Sequence, residues 1–290
     1  MAPEPILDLY DTMVVVDCVK QNLNQRFFVC EATIFEMLKN KPEAKQRKQL
    51  RNLISYCKRT GSELLLSDIA GGAVLLGEDE NAAYSEAVRI CEKTSKKMAE
   101  VILSLFTAIL MLVQLLNAHG FQKPERLHNV ERIIAGTRLI IDKFGDSIIT
   151  GIQETLLSET SEKCEEELLN LYRGLVENIN RHSSDEGYQL KSPETLSINA
   201  MLSGVDSKTR KSFSEQFVDE VVKIVSGSKS VKEFWKAYLI YLFTKKHRFN
   251  VNDAIDMQIC FAAYTNDLCL VTEDDHCRRA YCDLVRIERP

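Results

Sequence analysis

The sequence predicts an α/β fold in which both ends of the chain build one core and a long all-helical segment lies between them. Three observations support this. Short apolar strand candidates alternate with helices in residues 1–75, helical three- and four-residue spacing runs through residues 76–246, and residues 247–290 combine an apolar helix with strand candidates. Strands alternating with helices are typical of α/β folds, whereas unbroken helical spacing predicts a separate helical part.

The first 75 residues supply three short strand candidates and the helices that connect them. The strand candidates are Ile6–Tyr10, Arg26–Cys30 and Glu63–Leu66. Helices are predicted from Asp11-Thr12 onward, over Glu31–Asn40 and over Pro42–Arg59, the last ended by Gly61. The Gly71-Gly72 pair and the acidic run Gly77–Glu80 are predicted to be loops.

The last 44 residues contain an apolar helix that is predicted to begin at Asp253 or Asp256. A continuous apolar strand, Leu268–Val271, follows it, and the polar run Thr272–Asp275 comes next. Open α/β sheets bind their ligands at the carboxyl ends of the strands, so this run is a candidate site. A further strand candidate, Asp283–Glu288, follows.

The composition indicates a globular protein with reduced thiols. The nine cysteines form no CxxC pair, and Cys30, Cys260 and Cys269 stand in apolar runs, which predicts buried side chains and a cytoplasmic protein. The N-terminal residues lack the pattern of a signal peptide. Val101–Leu116 is nearly all apolar, but its length falls short of the roughly 20 residues of a membrane span. We therefore predict a buried helix there and no membrane partner.

Four carboxylates near the predicted element boundaries carry the strongest functional signal: Asp11, Glu36, Asp256 and Asp274. If the chain ends close together, these side chains gather in one place. Clustered carboxylates repel, so they must be protonated, paired with Lys or Arg, or bound to a divalent metal. The alternative is that the aspartates cap helices or lie in solvated turns.

The residues around these acids resemble the motifs of PIN-domain nucleases. Tyr10-Asp11-Thr12 is similar to the opening motif, and VCEATIFEMLKN, with Glu36, is similar to the second. The block from Asp256 through Ala262-Ala263 to Thr272-Glu273-Asp274 resembles the C-terminal half of the family. The resemblance implies a PIN-like three-layer core with a central, mostly parallel sheet. The chain departs from the family pattern by its large helical insertion, residues 76–246.

The resemblance also implies a metal-dependent nuclease that uses Mg²⁺ or Mn²⁺. Hard divalent cations prefer oxygen ligands and can activate water while neutralising a phosphate. Asp11, Asp256 and Asp274 would hold the metal directly or through water, and Glu36 would complete its shell or orient the attacking water. Four neighbouring residues are supporting hydroxyls or alternative acids: Thr12, Thr272, Asp253 and Asp275.

Basic residues flank the acids in sequence although the net charge is −5. A phosphate backbone requires such cations, so they are candidates for nucleic-acid binding. They are Lys45, Arg47, Lys48, Arg51, Lys245, Lys246, Arg248 and Arg278. The alternative for the basic segment between Lys39 and Arg59 is a solvated helix face.

The expected function is therefore phosphodiester hydrolysis, with RNA favoured over DNA as the substrate because many relatives implied by the resemblance are ribonucleases. An endoribonuclease of this kind needs restraint, which leads to the hypothesis of a toxin or antiviral-defence effector. The helical insertion would then bind a regulatory partner or a second copy. Two alternatives are a FEN-like DNA nuclease and a non-catalytic PIN-like scaffold that binds a partner protein.

Overall fold

The computed structural model describes residues 8–119, 124–158, 161–182, 251–275, 277–279 and 281–282, with four single residues between 192 and 208. The chain divides into two compact units. One unit combines residues 1–98 with residues 252–290, and the other comprises residues 99–251. Both ends of the chain therefore belong to the same unit. The limits predicted for the insertion, at residues 76 and 246, remain a prediction.

The first unit is built on a small parallel sheet. Its four strands are β1 (Asp8–Tyr10), β2 (Phe28–Cys30), β3 (Glu63–Leu65) and β4 (Cys269–Val271). Their order is β3-β2-β1-β4, and every pairing among them is parallel. Leu9 of β1 lies opposite Phe28 on one side and Leu270 on the other. The predicted α/β class, with a sheet to which both chain ends contribute, is confirmed.

Eight helices are bounded in the described part of the chain. They are α1 (Thr12–Lys20), α2 (Glu31–Leu38), α3 (Glu43–Thr60), α4 (Ile69–Leu75), α5 (Glu80–His119), α6 (Pro124–Ser158), α7 (Ser161–His182) and α8 (Val251–Thr265). Helix α8 thus begins two residues before Asp253, so Asp253 lies in its first turn and Asp256 in its second.

Local sequence signals explain the ends of the first helices. Asp11 is the N-cap of α1, where its carboxylate accepts a hydrogen bond from the Met13 amide at 2.9 Å. Gly61 ends α3 with φ at 71°, a left-handed conformation that costs glycine little. The strand–helix order predicted for residues 8–65 is confirmed for these elements.

The prediction of a loop at Gly71-Gly72 is wrong, because α4 occupies this segment. The carboxylate of Asp68 accepts hydrogen bonds from the Ala70 and Gly71 amides and so caps the helix. A Cβ atom at Gly71 would clash with the Glu86 carboxylate of α5. That carboxylate is the end of a flexible side chain, so the contact shows that α4 lies close to α5 without making the glycine necessary.

The core of the first unit lies between the sheet and helices α1, α2 and α3, which contact one another. Leu9 and Val29 of the sheet and Val15 of α1 are fully buried. Tyr10, Phe27 and Tyr56 form a stack whose ring centroids are 4.7 and 5.2 Å apart. These apolar contacts hold α1 and α3 against the strands, and they therefore fix the residues at the strand ends.

The cysteine prediction is confirmed at most positions and wrong at one. Cys30 and Cys260 are buried free thiols, as their apolar neighbours predict. Cys269, however, is exposed although it stands between two leucines. It lies in β4, which ends the described sheet, so one side of this strand has no described neighbour to cover it.

In the second unit, α6 and α7 pack against each other. Gly151 lets them approach closely, since a Cβ atom there would lie 3.4 Å from a methyl group of Leu171. Tyr172 of α7 also contacts Phe106 of α5, with ring centroids 4.9 Å apart. Val101–Leu116 lies within α5, as predicted, and no helix of the described residues is long and apolar enough to cross a membrane. The strand predicted at Asp283–Glu288 lies outside the described residues.

Candidate functional site

The candidate site lies where the order of the strands reverses. The chain proceeds from β1 to β2 and β3 on one side, and β4 then pairs with the other side of β1. A crevice forms at such a switch point, at the carboxyl ends of the two strands that diverge, and ligands bind there in open α/β sheets. Asp11 directly follows β1 and Thr272 directly follows β4. Two parts of the chain that are far apart in sequence therefore meet at this edge.

Asp11 joins the two strands and begins α1. Its amide donates to the carbonyl of Val271 at 3.0 Å, which extends the ladder between β1 and β4. One carboxylate oxygen, Oδ1, caps α1, and the other, Oδ2, accepts a hydrogen bond from the Thr272 hydroxyl at 2.6 Å. Asp11 is buried, with 7% of its surface exposed. Contacts with β1, α1 and β4 therefore hold the Asp11 side chain in place.

Thr272 connects Asp11 to Asp274. The Thr272 hydroxyl donates to Asp11 and accepts a hydrogen bond from the Asp274 amide at 3.0 Å. Asp274 in turn accepts a hydrogen bond from the Cys277 amide at 2.9 Å, and helical residues follow it. Asp11 and Asp274 therefore both cap helices, as the alternative to a metal site requires. Capping uses one oxygen of each side chain and does not separate the two acids.

The other predicted acids lie close enough to change the ionisation of Asp256. The pKa of Asp256 is raised to about 8, first by burial and then by the negative charges of four carboxylates: Asp253, Asp274, Glu36 and Asp11, in decreasing order. Only carboxylates that lie near one another produce this effect. All four acids predicted from the sequence, with the alternative Asp253, are therefore brought together. Asp275 forms an ion pair with Arg278 and is exposed.

The donor chemistry of this cluster fits a hard divalent cation. Its side chains offer carboxylate oxygens, which Mg²⁺ and Mn²⁺ prefer, and a bound cation would relieve the repulsion that raises the pKa of Asp256. The buried Oγ1 of Thr12 has no hydrogen-bond partner among the described residues. Across the same residues, however, no three His, Cys, Asp or Glu side chains are already arranged around a common point as metal ligands. The acids are gathered, and binding would require their side chains to turn.

Two buried thiols lie beside the acids. The sulfur atoms of Cys260 and Cys277 are 3.5 Å apart. The hydrogen bond with Cys260 raises the pKa of Cys277, and burial and the negative charges of Asp256 and Asp11 raise it further. A thiol with a raised pKa stays neutral and is a poor metal ligand, so oxygen atoms remain the donors of this site. No local sequence pattern indicates this pair, because the two residues belong to different elements.

The predicted nucleic-acid-binding cations divide into three groups. Arg47 pairs with Glu43, Arg51 with Glu80, and Arg278 with Asp275. Lys45 and Lys48 are exposed on α3. The remaining three, Lys245, Lys246 and Arg248, lie outside the described residues. The basic segment therefore contains both cations engaged in packing and cations that face solvent.

The geometry thus combines a switch-point crevice, a carboxylate cluster and nearby cations. Asp11, Thr272 and Asp274 are joined by hydrogen bonds, whereas Glu36 and Asp256 are related to them by charge. Comparison of the chain with family models, with curated proteins and with solved structures gave no match.

Proposed function

We propose that this protein is a metal-dependent nuclease with a PIN-like core that hydrolyses phosphodiester bonds, with RNA as the preferred substrate. One observation carries the proposal: burial and four neighbouring carboxylates raise the pKa of Asp256 to about 8 at the switch point of a parallel sheet. Perturbed carboxylates in a crevice are typical of functional sites. The order of the sequence motifs and the central position of β1 support the PIN-like assignment.

The proposed roles follow from the positions of the acids. Asp11, Asp256 and Asp274 would hold Mg²⁺ or Mn²⁺, and Glu36, which lies on α2 facing the same cluster, would orient the attacking water. When bound, the ion neutralises charge on the phosphate and activates water. Thr272 holds Asp11 and Asp274 in register through its hydroxyl. Burial, and then the charge of Asp253, favour the protonated form of Asp256, which would release its proton on binding a cation.

A second candidate is a non-catalytic scaffold that binds a partner protein. The absence of a ready-made group of three ligands among the described residues favours it. In that case the carboxylates serve as helix caps, a role that Asp11 and Asp274 both perform.

The deciding experiment is cleavage of labelled single-stranded RNA and DNA by the wild type, Asp11→Asn and Asp274→Asn, with Mg²⁺, with Mn²⁺ and with EDTA. Asparagine keeps the capping oxygen and removes the charge, so folding is preserved while metal binding is weakened. Asp267→Asn is the matched control, because Asp267 lies at the amino end of β4, opposite the cluster, with φ at 58° that asparagine also adopts.

We expect metal-dependent cleavage by the wild type and the control, with the two site variants reduced at least about 100-fold. Equal cleavage by all four proteins would exclude the site. No cleavage by any of them, with intact folding, would favour the scaffold. The toxin hypothesis is tested by induced expression in a cellular host: growth arrest by the wild type but not by Asp274→Asn supports it.

A further inference from the structure

A basic groove on the surface of the first unit lies between α1 and α3. Its volume is about 750 Å³, within the range of roughly 300–1,000 Å³ that is usual for ligand-binding clefts. Four cations line it: Lys20, Lys45, Lys48 and Arg59. None of the described residues that line it is acidic. Lys20 pairs with Asp17 at 3.7 Å, and the other three cations give the groove a positive potential that suits an anionic occupant.

Helix α3 separates its cations between two faces. Arg51 pairs with Glu80 at 2.8 Å, and Arg47 lies 3.9 Å from the centre of the Tyr84 ring while pairing with Glu43. The contacts with Glu80 and Tyr84 attach α3 to α5, whereas Glu43 lies on α3 itself. On the groove face, the ammonium groups of Lys45 and Lys48 have no ion pair with the residues that the structure describes, and both side chains are exposed. These two lysines are therefore available to an anionic ligand.

The groove also offers groups that a simple phosphate does not need. Gln49 lines it, and the buried Oε1 of Gln49 has no hydrogen-bond partner among the described residues. Asn52 and Ser55 add polar groups along the same wall. That atom is enclosed, so the groups that a ligand can reach are the other amide and hydroxyl groups of this wall, which can pair with base edges and ribose hydroxyls. Cations combined with these polar groups indicate a nucleotide chain in preference to inorganic phosphate.

One end of the groove lies next to the acid cluster. Met37 lines the groove and directly follows Glu36 on α2, and Val16 lines it one helical turn beyond Thr12 on α1. Charges of both signs meet at this end: burial and then the charge of Lys45 lower the pKa of Lys41, whereas the charge of Glu36 raises it. A strand bound in the groove thus leads towards the acids.

We propose that this groove binds the backbone of single-stranded nucleic acid and guides it to the carboxylate cluster, with Lys45 and Lys48 as its principal phosphate contacts. The inference rests on the proposed function and deepens it by locating the substrate. Arg47 and Arg51 were predicted from the sequence to bind nucleic acid, and we now assign them to the packing of α3 on α5.

The test measures binding without cleavage. Fluorescence anisotropy of labelled single-stranded RNA and DNA is recorded in EDTA at several salt concentrations, for the wild type, Lys45→Gln/Lys48→Gln and Arg47→Gln/Arg51→Gln. Both double variants remove two positive charges from the same helix, so they change the net charge equally. Circular dichroism and thermal unfolding verify that each variant is folded.

We expect the Lys45→Gln/Lys48→Gln protein to bind about tenfold more weakly at physiological salt. The slope of log K against log salt concentration should decrease in magnitude by about 1.4, because each phosphate contact on a single strand contributes roughly 0.7 and two contacts are lost. The Arg47→Gln/Arg51→Gln protein should keep the slope of the wild type. Equal losses in the two variants, unchanged binding by the lysine variant, or no binding by the wild type would each overturn the groove. If the wild type binds nucleic acid through the two lysines but does not cleave it in the presence of Mg²⁺ or Mn²⁺, the groove proposal stands and the nuclease proposal fails.

Discussion

The carboxyl edge of the sheet carries acidic side chains in two places, and the protein balances their charges in opposite ways. At the ends of β2 and β3, Glu31 accepts hydrogen bonds from the Ser67 amide and hydroxyl and pairs with Lys97 at 2.9 Å. Burial raises the pKa of Glu31, but the bonds from Ser67 and Lys97 outweigh it and leave the pKa below its ordinary value.

At the ends of β1 and β4, the acids face other acids. The pKa of Asp256 is raised to about 8 by burial and by its carboxylate neighbours. The two places share a sheet edge and a residue type, so position alone does not distinguish a structural acid from a functional one. The difference is the source of positive charge: the protein supplies it to Glu31, whereas the Asp256 cluster requires it from a proton or a ligand.

The largest expected effect is a difference in RNA cleavage between a variant of the Asp256 cluster and a variant of Glu31. Asp256→Asn should lower metal-dependent RNA cleavage at least about 100-fold, because it removes an acid that would hold the metal. Glu31→Gln should leave cleavage within about threefold of the wild type, since its partners are Ser67 and Lys97. Initial rates at a temperature where both variants are folded provide the measurement. A large loss from Glu31→Gln alone would reverse the assignment.

The second largest expected effect is on the dependence of stability on pH, which Asp256 and Glu31 should influence in opposite directions. Folded Asp256 keeps its proton up to about pH 8, whereas an ordinary aspartate loses it near 3.8. Between these values the folded state binds more protons, so the free energy of unfolding falls as pH rises, by at most about 1.4 kcal/mol per pH unit. Urea unfolding of the metal-free protein should show this decline, and Asp256→Asn should flatten it.

Glu31 should act at the opposite end of the pH range. Its lowered pKa contributes stability above the ordinary value of 4.5, and this contribution is lost as pH falls through the folded pKa. Glu31→Gln should therefore weaken the protein at neutral pH and lessen its further loss of stability in acid. The same urea series, extended to pH 3, provides the measurement. The comparison would be contradicted if Asp256→Asn and Glu31→Gln changed the dependence of stability on pH in the same pH range.

Divalent cations should sharpen the contrast further. Mg²⁺ or Mn²⁺ at 100 times its dissociation constant should stabilise the wild type by about 2.7 kcal/mol, because binding favours the folded state. The gain should be smaller for Asp256→Asn and unchanged for Glu31→Gln. Thermal unfolding with and without the cation measures it. Equal gains in all three proteins would indicate that the cation binds elsewhere.

The smallest expected effect concerns the two hydroxyls. Thr272→Val removes the bond to Asp11 and the acceptor of the Asp274 amide, and it should cost about 1–3 kcal/mol because it leaves buried groups unpaired. Ser67→Ala should cost about 1 kcal/mol, since Glu31 keeps the Ser67 amide and Lys97. Only Thr272→Val should also slow cleavage. Rescue by Thr272→Ser, which restores the hydroxyl, distinguishes positioning from general damage.

The sequence allowed the prediction of those features that depend on neighbouring residues. Asp11 as a cap, Gly61 as a helix end and the apolar runs of β1 and β2 are local signals, and they located β1, α1, β2 and the end of α3 correctly. The gathering of Asp11 and Asp274 was expected from their places at strand ends. Motif order supplied the rest of the cluster, including Glu36, which no local pattern distinguishes from a surface glutamate.

Features that depend on a distant partner could not be predicted. The Gly71-Gly72 pair indicates a loop, whereas the segment is helical and lies close to Glu86 of α5. Arg47 and Lys48 are neighbours in a uniformly basic run, and only the arrival of Glu80 and Tyr84 beside α3 separates packing cations from exposed ones. The thiol contact between Cys260 and Cys277 likewise arises only when α8 and the segment after β4 come together.

The hydrogen bond between Thr272 and Asp11 connects residues 261 positions apart. A ribosome adds about 5–20 residues per second, so roughly 13–50 s separate the synthesis of its two partners. During that interval α1, α2 and the basic groove can form, but the carboxylate cluster lacks Asp256 and Asp274. The site proposed for cleavage is therefore completed only after Asp274 has been synthesised, well after the proposed binding groove.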